Sequence, residues 1–154
     1  EDILFKLRSK SRDNARTPFP WDASPTGGFS DHTPWIDMNA NHDAINVATE
    51  TQEPESVLNF YRKLVHLRLT DPVLLNGQYQ LIDTHDHQLY VYTRETGKTG
   101  YLIITNLSDD PAAFTIPSPY QHLKLVLSNT AAKPTARALT LAPWCAYLYK
   151  YERN

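Results

Sequence analysis

Cysteine is nearly missing from this chain: Cys145 stands alone, so no intramolecular disulfide framework can form. One lone thiol fits a reducing compartment, and a cytoplasmic setting is expected. Cys145 lies between Trp144 and Ala146 in an apolar stretch read as strand, so it is expected to be buried and inert. An excess of basic charge is also missing. Fifteen Lys and Arg face seventeen Asp and Glu, a net charge of -2, which leaves no positive field for nucleic acid. No apolar run approaches the length that spans a bilayer, so a membrane partner is not expected. No secretory leader is visible, but the chain opens on Glu1 rather than Met, as a fragment would, and that absence carries no weight. Internal repeats and low-complexity stretches are lacking as well. What remains is 154 residues, 41% hydrophobic, enough for one ordinary domain or a small domain with a remnant of another.

The most informative segment is Ser11-Arg12-Asp13-Asn14-Ala15-Arg16-Thr17-Pro18-Phe19-Pro20-Trp21-Asp22. It sets two guanidinium groups four residues apart, beside two carboxylates, in a stretch closed by two prolines and a tryptophan. Prolines fix the backbone and stop a helix, so these polar groups are expected on a stiff loop. Two readings stand from chemistry alone. The arginine forks can hold a hydroxyl-rich or carboxylate ligand, or the Arg and Asp residues can form a structural network that ties the loop to its scaffold.

Residues 1–10 resemble a helix fragment, with Ile3, Leu4 and Leu7 at helical spacing. From Ser11 to about Glu53 little periodicity is visible. An ordered loop is expected there, because Phe19, Trp21, Phe29, Trp35, Ile36, Ile45 and Val47 supply apolar anchors that disordered segments lack. Trp21 and Trp35 could stack on sugar faces, although packing is the commoner use of such rings. A helix is expected to start with Pro54 in its first turn and to end before Asp71-Pro72. Val57, Leu58, Tyr61, Leu64, Val65 and Arg68 would share one face, and Asn59, Arg62, Lys63 and His66 the other.

Beyond Pro72 the period changes to two. Gln78–Asp83, Gln88–Arg94, Tyr101–Leu107, Ala113–Pro117, Leu123–Ser128, Leu139–Leu141 and Ala146–Tyr151 read as short strands, separated by turn residues such as Asn76-Gly77, Thr96-Gly97-Lys98 and Asp109-Asp110-Pro111. Such spacing without intervening helices implies an antiparallel sandwich. Asp83, His85, Asp86 and His87 put nitrogen and oxygen ligand types close together, but Thr84-His85-Asp86 reads as a hairpin turn. A solvated turn is the favoured reading, and no metal or cofactor is expected.

The run from Ser11 resembles the S-R-D-N-A-R-T-P-M-Q-W segment of glycoside hydrolase family 13 α-glucosidases, the oligo-1,6-glucosidase, maltase and trehalose-6-phosphate hydrolase group. Phe19 and Pro20 replace Met and Gln. Gly28-Phe29-Ser30 with Pro34-Trp35-Ile36, Asn39 to Val47, and the Ser56–Arg68 helix resemble further family stretches in the same order. The resemblance implies an α+β fragment: the last loop and helix of a (β/α)8 barrel over residues 1–70, then an all-β antiparallel sandwich over 71–154. It implies the C-terminal portion of a retaining α-glucosidase that hydrolyses terminal α-linked glucose of short oligosaccharides.

Such enzymes use one carboxylate as nucleophile and another as acid/base. In the family these stand on the fourth and fifth barrel strands, so no catalytic residue is assigned to this chain, and it is expected to be inactive without its partner, the N-terminal barrel. Asn41-His42-Asp43 spells the family's catalytic N-H-D triplet but follows the arginine run instead of preceding it, and a turn is the favoured reading. Arg12 matches the arginine that holds the terminal glucose, and Arg16 a second arginine favoured as a brace for the loop. The alternative is a free-standing sandwich that binds carbohydrate or another chain, which would need neither the Arg/Asp loop nor the barrel-type helix.

Overall fold

The computed structural model describes residues 2–10, 12–82 and 84–153. In chain order it contains α1 (Ile3–Lys10), a 3-10 turn (Arg12–Ala15), α2 (Val47–Gln52), α3 (Val57–Thr70), α4 (Pro72–Asn76), β1 (Gln78–Ile82), β2 (Leu89–Thr96), β3 (Thr99–Asn106), β4 (Ala112–Thr115), β5 (Tyr120–Ser128), β6 (Ala138–Leu141) and β7 (Ala146–Arg153). Two compact units divide the chain, Glu1–Arg62 and Lys63–Asn154, and the division falls inside α3.

The first unit is ordered by hydrogen bonds. Asn46 caps α2, its side-chain oxygen accepting from the Thr49 amide at 3.0 Å. Its amide donates back to the carbonyls of His42 and Asp43 at 3.0 and 3.2 Å. The next free N–H groups of α2, those of Val47 and Ala48, donate to the Pro20 and Trp21 carbonyls at 3.1 and 3.0 Å. The first turn of a helix leaves such donors without intrahelical partners, so a distant stretch of chain completes α2. At the other end Ser56 donates to the Glu50 carbonyl at 2.6 Å and accepts from the Asn59 amide at 3.2 Å. Asn59 reaches the carbonyls of Glu50, Thr51 and Glu53 at 2.9, 3.2 and 2.8 Å.

Three expectations change here. The helix begins at Val57, capped by Ser56, and Pro54 sits in the preceding turn. Asn59, expected on the solvent face, closes the corner between α2 and α3, because an amide so placed can satisfy the last carbonyls of α2. Helix α2 itself was not anticipated, since six residues with no buried side chain carry no periodic signal.

In the second unit β1-β2-β3-β7-β5 form one antiparallel sheet and β4-β6 a second. All seven strands lie where the alternation predicts, with ends shifted by a few residues; Asp83, expected to end β1, is outside the described residues. Side chains two apart share a face, so Val91, Leu102, Ile104, Tyr147, Tyr149 and Tyr151 from the large sheet meet Ile116, Leu139 and Leu141 in one core. The β part is therefore an antiparallel sandwich. Val91, Leu102, Ile104 and Leu141 are fully shielded from water, and each contributes about 1.5–3 kcal/mol. Gly100 stands opposite Tyr151 in the β3–β7 register. A Cβ on Gly100 would collide with the Tyr151 ring, so the ring packs there only because the glycine has no side chain.

The opposite face of the sheet carries a smaller cluster of Leu74, Tyr101 and Leu148, with Leu67 packed against it. Helix α4 was also unanticipated. Asp71 caps it, accepting from the Val73 and Leu74 amides at 2.8 and 3.3 Å, with Pro72 at the first position. Cys145 is buried as expected, but it lies in the β6–β7 connection and not in a strand. Burial pushes its thiol pKa up, which favours the protonated thiol.

Candidate functional site

Arg12 opens the 3-10 turn that comes after α1 in chain order. Asp2 starts α1 by accepting from the Leu4 amide at 3.0 Å, and the turn closes where the Arg16 amide donates to the Asp13 carbonyl at 3.0 Å. The stiff loop expected for these residues takes the form of one tight turn, which ends just before Thr17-Pro18. Arg12 and Arg16 are exposed and Asp13 is half-buried. Ser11 and the side chain of Asn14 lie outside the described residues. An arginine in this position is a donor-only cation: it can bind and orient a ligand but cannot relay a proton.

The loop that follows is organised around Gly27. The Trp21 and Asp22 amides donate to the Gly27 carbonyl at 2.7 and 3.2 Å, while the Gly27 amide donates to Ser24 at 2.8 Å. Gly27 has φ 60°, and a Cβ there would meet Met38 Cε at 2.5 Å, so another residue would be both strained and crowded. Asp22 accepts from the Ser24 amide at 2.9 Å. Hydrogen bonding with Ser24 holds its carboxyl below the usual range. Phe19 and Trp21 meet edge to face at 4.9 Å. Both stay more than half exposed, as does Phe29, and Trp35 is 88% exposed. The aromatic residues expected to anchor this loop therefore point into solvent, and backbone hydrogen bonds supply its order.

Asn41-His42-Asp43 forms a turn. The Ala44 and Ile45 amides both donate to the Asn41 carbonyl, at 3.1 and 2.8 Å, and Asp43 Oδ1 accepts from the Ala44 amide at 2.8 Å. The triplet delivers Asn46 to its capping position. In the β1–β2 connection His85 has φ 53° and is exposed, and His87 is exposed too. Asp86 is engaged by the turn, accepting from the Gln88 amide at 2.9 Å. Asp83 lies outside the described residues, among which no group of three or more His, Cys, Asp or Glu could hold a metal ion.

Three polar residues that sequence reasoning did not single out organise the second unit. Asp71 Oδ2 accepts from the Tyr101 hydroxyl at 2.6 Å, with Lys150 Nζ at 4.0 Å. Burial acts to raise the Asp71 pKa, but the bonds from Tyr101, Leu74 and Val73 and the nearby Lys150 outweigh it and leave the carboxyl low. Tyr101 is pushed up by burial and by that same carboxylate. Asn106 is 1% exposed, donates to the Asp110 and Ala142 carbonyls at 2.7 and 3.0 Å, and accepts from the Ser108 amide and hydroxyl at 3.1 and 2.8 Å. Glu95 accepts from Tyr151 at 2.6 Å and pairs with Arg153 at 3.1 Å. The Asp71-Pro72 pair is a sequence signal for a cap that could have revealed α4. Nothing local marks Asn106 or Glu95.

Comparison with known proteins gives the family. A family model described as the α-amylase catalytic domain matches residues 1–77, and one described as the maltogenic amylase C-terminal domain matches residues 79–148. An oligo-1,6-glucosidase of Parageobacillus thermoglucosidasius is 37% identical over 97% of this chain and 27% of its own length. A probable oligo-1,6-glucosidase of Bacillus subtilis is 42% identical over 99% of this chain and 28% of its own. The solved trehalose-6-phosphate hydrolase of Bacillus licheniformis superposes with a TM-score of 0.90 at 32% identity, covering 98% of this chain and 28% of that one. The chain thus spans little more than a quarter of the length of the relatives it matches.

Proposed function

This chain belongs to the α-amylase family, and from that premise we propose that it is the closing part of the catalytic barrel and the C-terminal β domain of an α-glucosidase. Residues 1–70 supply the rim loop and outer helix, and residues 71–154 the supporting sandwich. The enzyme takes terminal α-linked glucose from short oligosaccharides in a reducing, cytoplasmic setting. Its nucleophile and acid/base stand on barrel strands of the N-terminal region, the partner of this chain. The observation that carries the reading is the order of the two family matches, the catalytic-domain model over residues 1–77 followed by the C-terminal-domain model over 79–148.

Arg12 is the substrate contact. A guanidinium can pair with a carboxylate and donate to a sugar hydroxyl at once, which a lysine's point charge cannot copy. Holding the terminal ring also orients the reacting carbon, so the contact acts on kcat as well as KM. Arg16 braces the turn.

The test is a chimera in which residues 1–154 replace the corresponding segment of the Bacillus subtilis relative, assayed on p-nitrophenyl α-glucoside, maltose and isomaltose. The chimera is expected to turn over, and the 154-residue chain alone is not. Arg12→Lys should lower kcat/KM by about a hundredfold with little change in melting temperature. Near-normal kinetics would remove Arg12 from the site. A folded chimera without turnover, or turnover by the chain alone, would remove the reading itself.

A further inference from the structure

Trp144, in the connection between β6 and β7, has φ 54°. A bulky side chain in that left-handed region is strained, by about 1–3 kcal/mol. The indole is nevertheless 57% exposed, so burial does not compensate. Three directed bonds hold it in place. Its amide donates to the Ser108 carbonyl at 3.3 Å, its carbonyl accepts from Asn129 Nδ2 at 2.8 Å, and its indole N–H donates to Asp109 Oδ1 at 2.8 Å. The supports are themselves fixed. Asn129 Oδ1 accepts from the Ala146 amide at 2.8 Å, and the Ser108 hydroxyl donates to buried Asn106 at 2.8 Å. The adjacent Cys145, by contrast, is buried. Here strain and hydrogen bonds together keep a large flat apolar face in water.

We propose that Trp144 and Asp109 form a stacking platform for a glucopyranose ring of an oligosaccharide, built wholly within the second unit. The identity of the sugar rests on the glucosidase reading; the geometry does not. One face of a glucopyranose presents C–H groups that pack on an indole, while its hydroxyls project at the rim. Asp109 uses Oδ1 to fix the indole and has Oδ2 to accept from such a hydroxyl, a charge-assisted bond of the stronger class. Because the ring is already fixed, little side-chain entropy is lost when a sugar lands on it.

Isotope-labelled 154-residue chain is titrated with maltotriose and isomaltotriose while the three indole N–H signals are followed by NMR, the Trp144 signal being assigned by its loss in Trp144→Gly. A saturable shift confined to the Trp144 signal is expected, with an apparent Kd on the order of 1 mM. In Trp144→Gly, where binding is followed by calorimetry, affinity should fall by about tenfold or more, yet the variant should melt no lower than the wild type, because glycine suits a positive φ. Asp109→Asn, which keeps an acceptor for the indole, should weaken binding several-fold. No saturable shift, unchanged affinity in Trp144→Gly, or a Trp144→Gly variant that melts well below the wild type would each overturn the platform, the last by making the ring a structural anchor. A chimera that turns over while the Trp144 signal stays still removes the platform alone. A saturable shift beside an inactive folded chimera removes only the glucosidase reading.

Discussion

Before Arg62 the buried side chains that form hydrogen bonds are polar, Asn46 and Ser56, whereas from Leu74 onward the buried set is dominated by Leu, Ile, Val and Tyr. The first region turns Ile3, Phe5, Trp21, Trp35, Val57 and Tyr61 outward; the second encloses Val91, Leu102, Ile104 and Leu141 completely. The two regions are ordered by different forces. A net hydrogen bond contributes about 1 kcal/mol, because water competes for both partners, and it demands a fixed geometry. A buried aliphatic side chain contributes about twice that and demands only enclosure. In the 154-residue chain by itself the first region is thus shaped without being strongly stabilised, and the second has a core of its own.

Hydrogen exchange should display the largest contrast. Amides of Val91, Leu102, Ile104 and Tyr149 are expected to exchange at least about a thousandfold more slowly than those of Trp21, Gly27 and Ala48. Similar protection in both regions would break the comparison.

Next in size is Asn106→Ala. It strips the Asp110 and Ala142 carbonyls of their donor in a buried setting. The cost should be about 3 kcal/mol in urea denaturation. A loss below about 1 kcal/mol would mean that water fills the gap and the polar centre is dispensable.

Asp71→Ala should destabilise by about 2 kcal/mol, because it removes both the cap of α4 and the acceptor for Tyr101. Its carboxyl pKa is lower folded than unfolded, so its contribution is present above the unfolded value near 3.8 and is lost as pH falls through the folded one. Between about pH 5 and pH 2 the wild type should therefore lose more stability than Asp71→Asn, as followed by thermal melts. Parallel pH curves would show that the carboxylate's charge adds nothing.

The smallest effect sharpens the other side of the comparison. Asn46→Ala should cost α2 about 1 kcal/mol. It should raise exchange locally at Thr49 without moving the melting temperature of the sheet. A global shift would mean that the first region melts cooperatively with the second.

The strands were legible because alternation is local: Tyr101 to Asn106 can be assigned to one face or the other from their order alone once a sheet is assumed. The turn at Thr96-Gly97-Lys98 was legible for the same reason, since Gly97 takes the positive φ its type allows. Helix α2 was not legible, as its first amides are satisfied by Pro20 and Trp21, far off in the chain. In the candidate site the arginines could be read by type and spacing. Their presentation on one closed turn could not, nor could the outward aspect of Phe19, Trp21 and Trp35, because exposure depends on what else in the fold comes near.

Sequence alone determined the period of each segment, the lack of a disulfide between two residues of this chain and the presence of an Arg/Asp cluster, all of which are read without knowing which distant residues meet. Tertiary structure alone decided that Asn106 joins two connections, that Gly100 makes room for Tyr151, and that Trp144 stands in water beside a buried Cys145. Each of those outcomes depends on segments remote in sequence meeting at one place, where the geometry of the meeting sets which groups find partners and which side chains lose water.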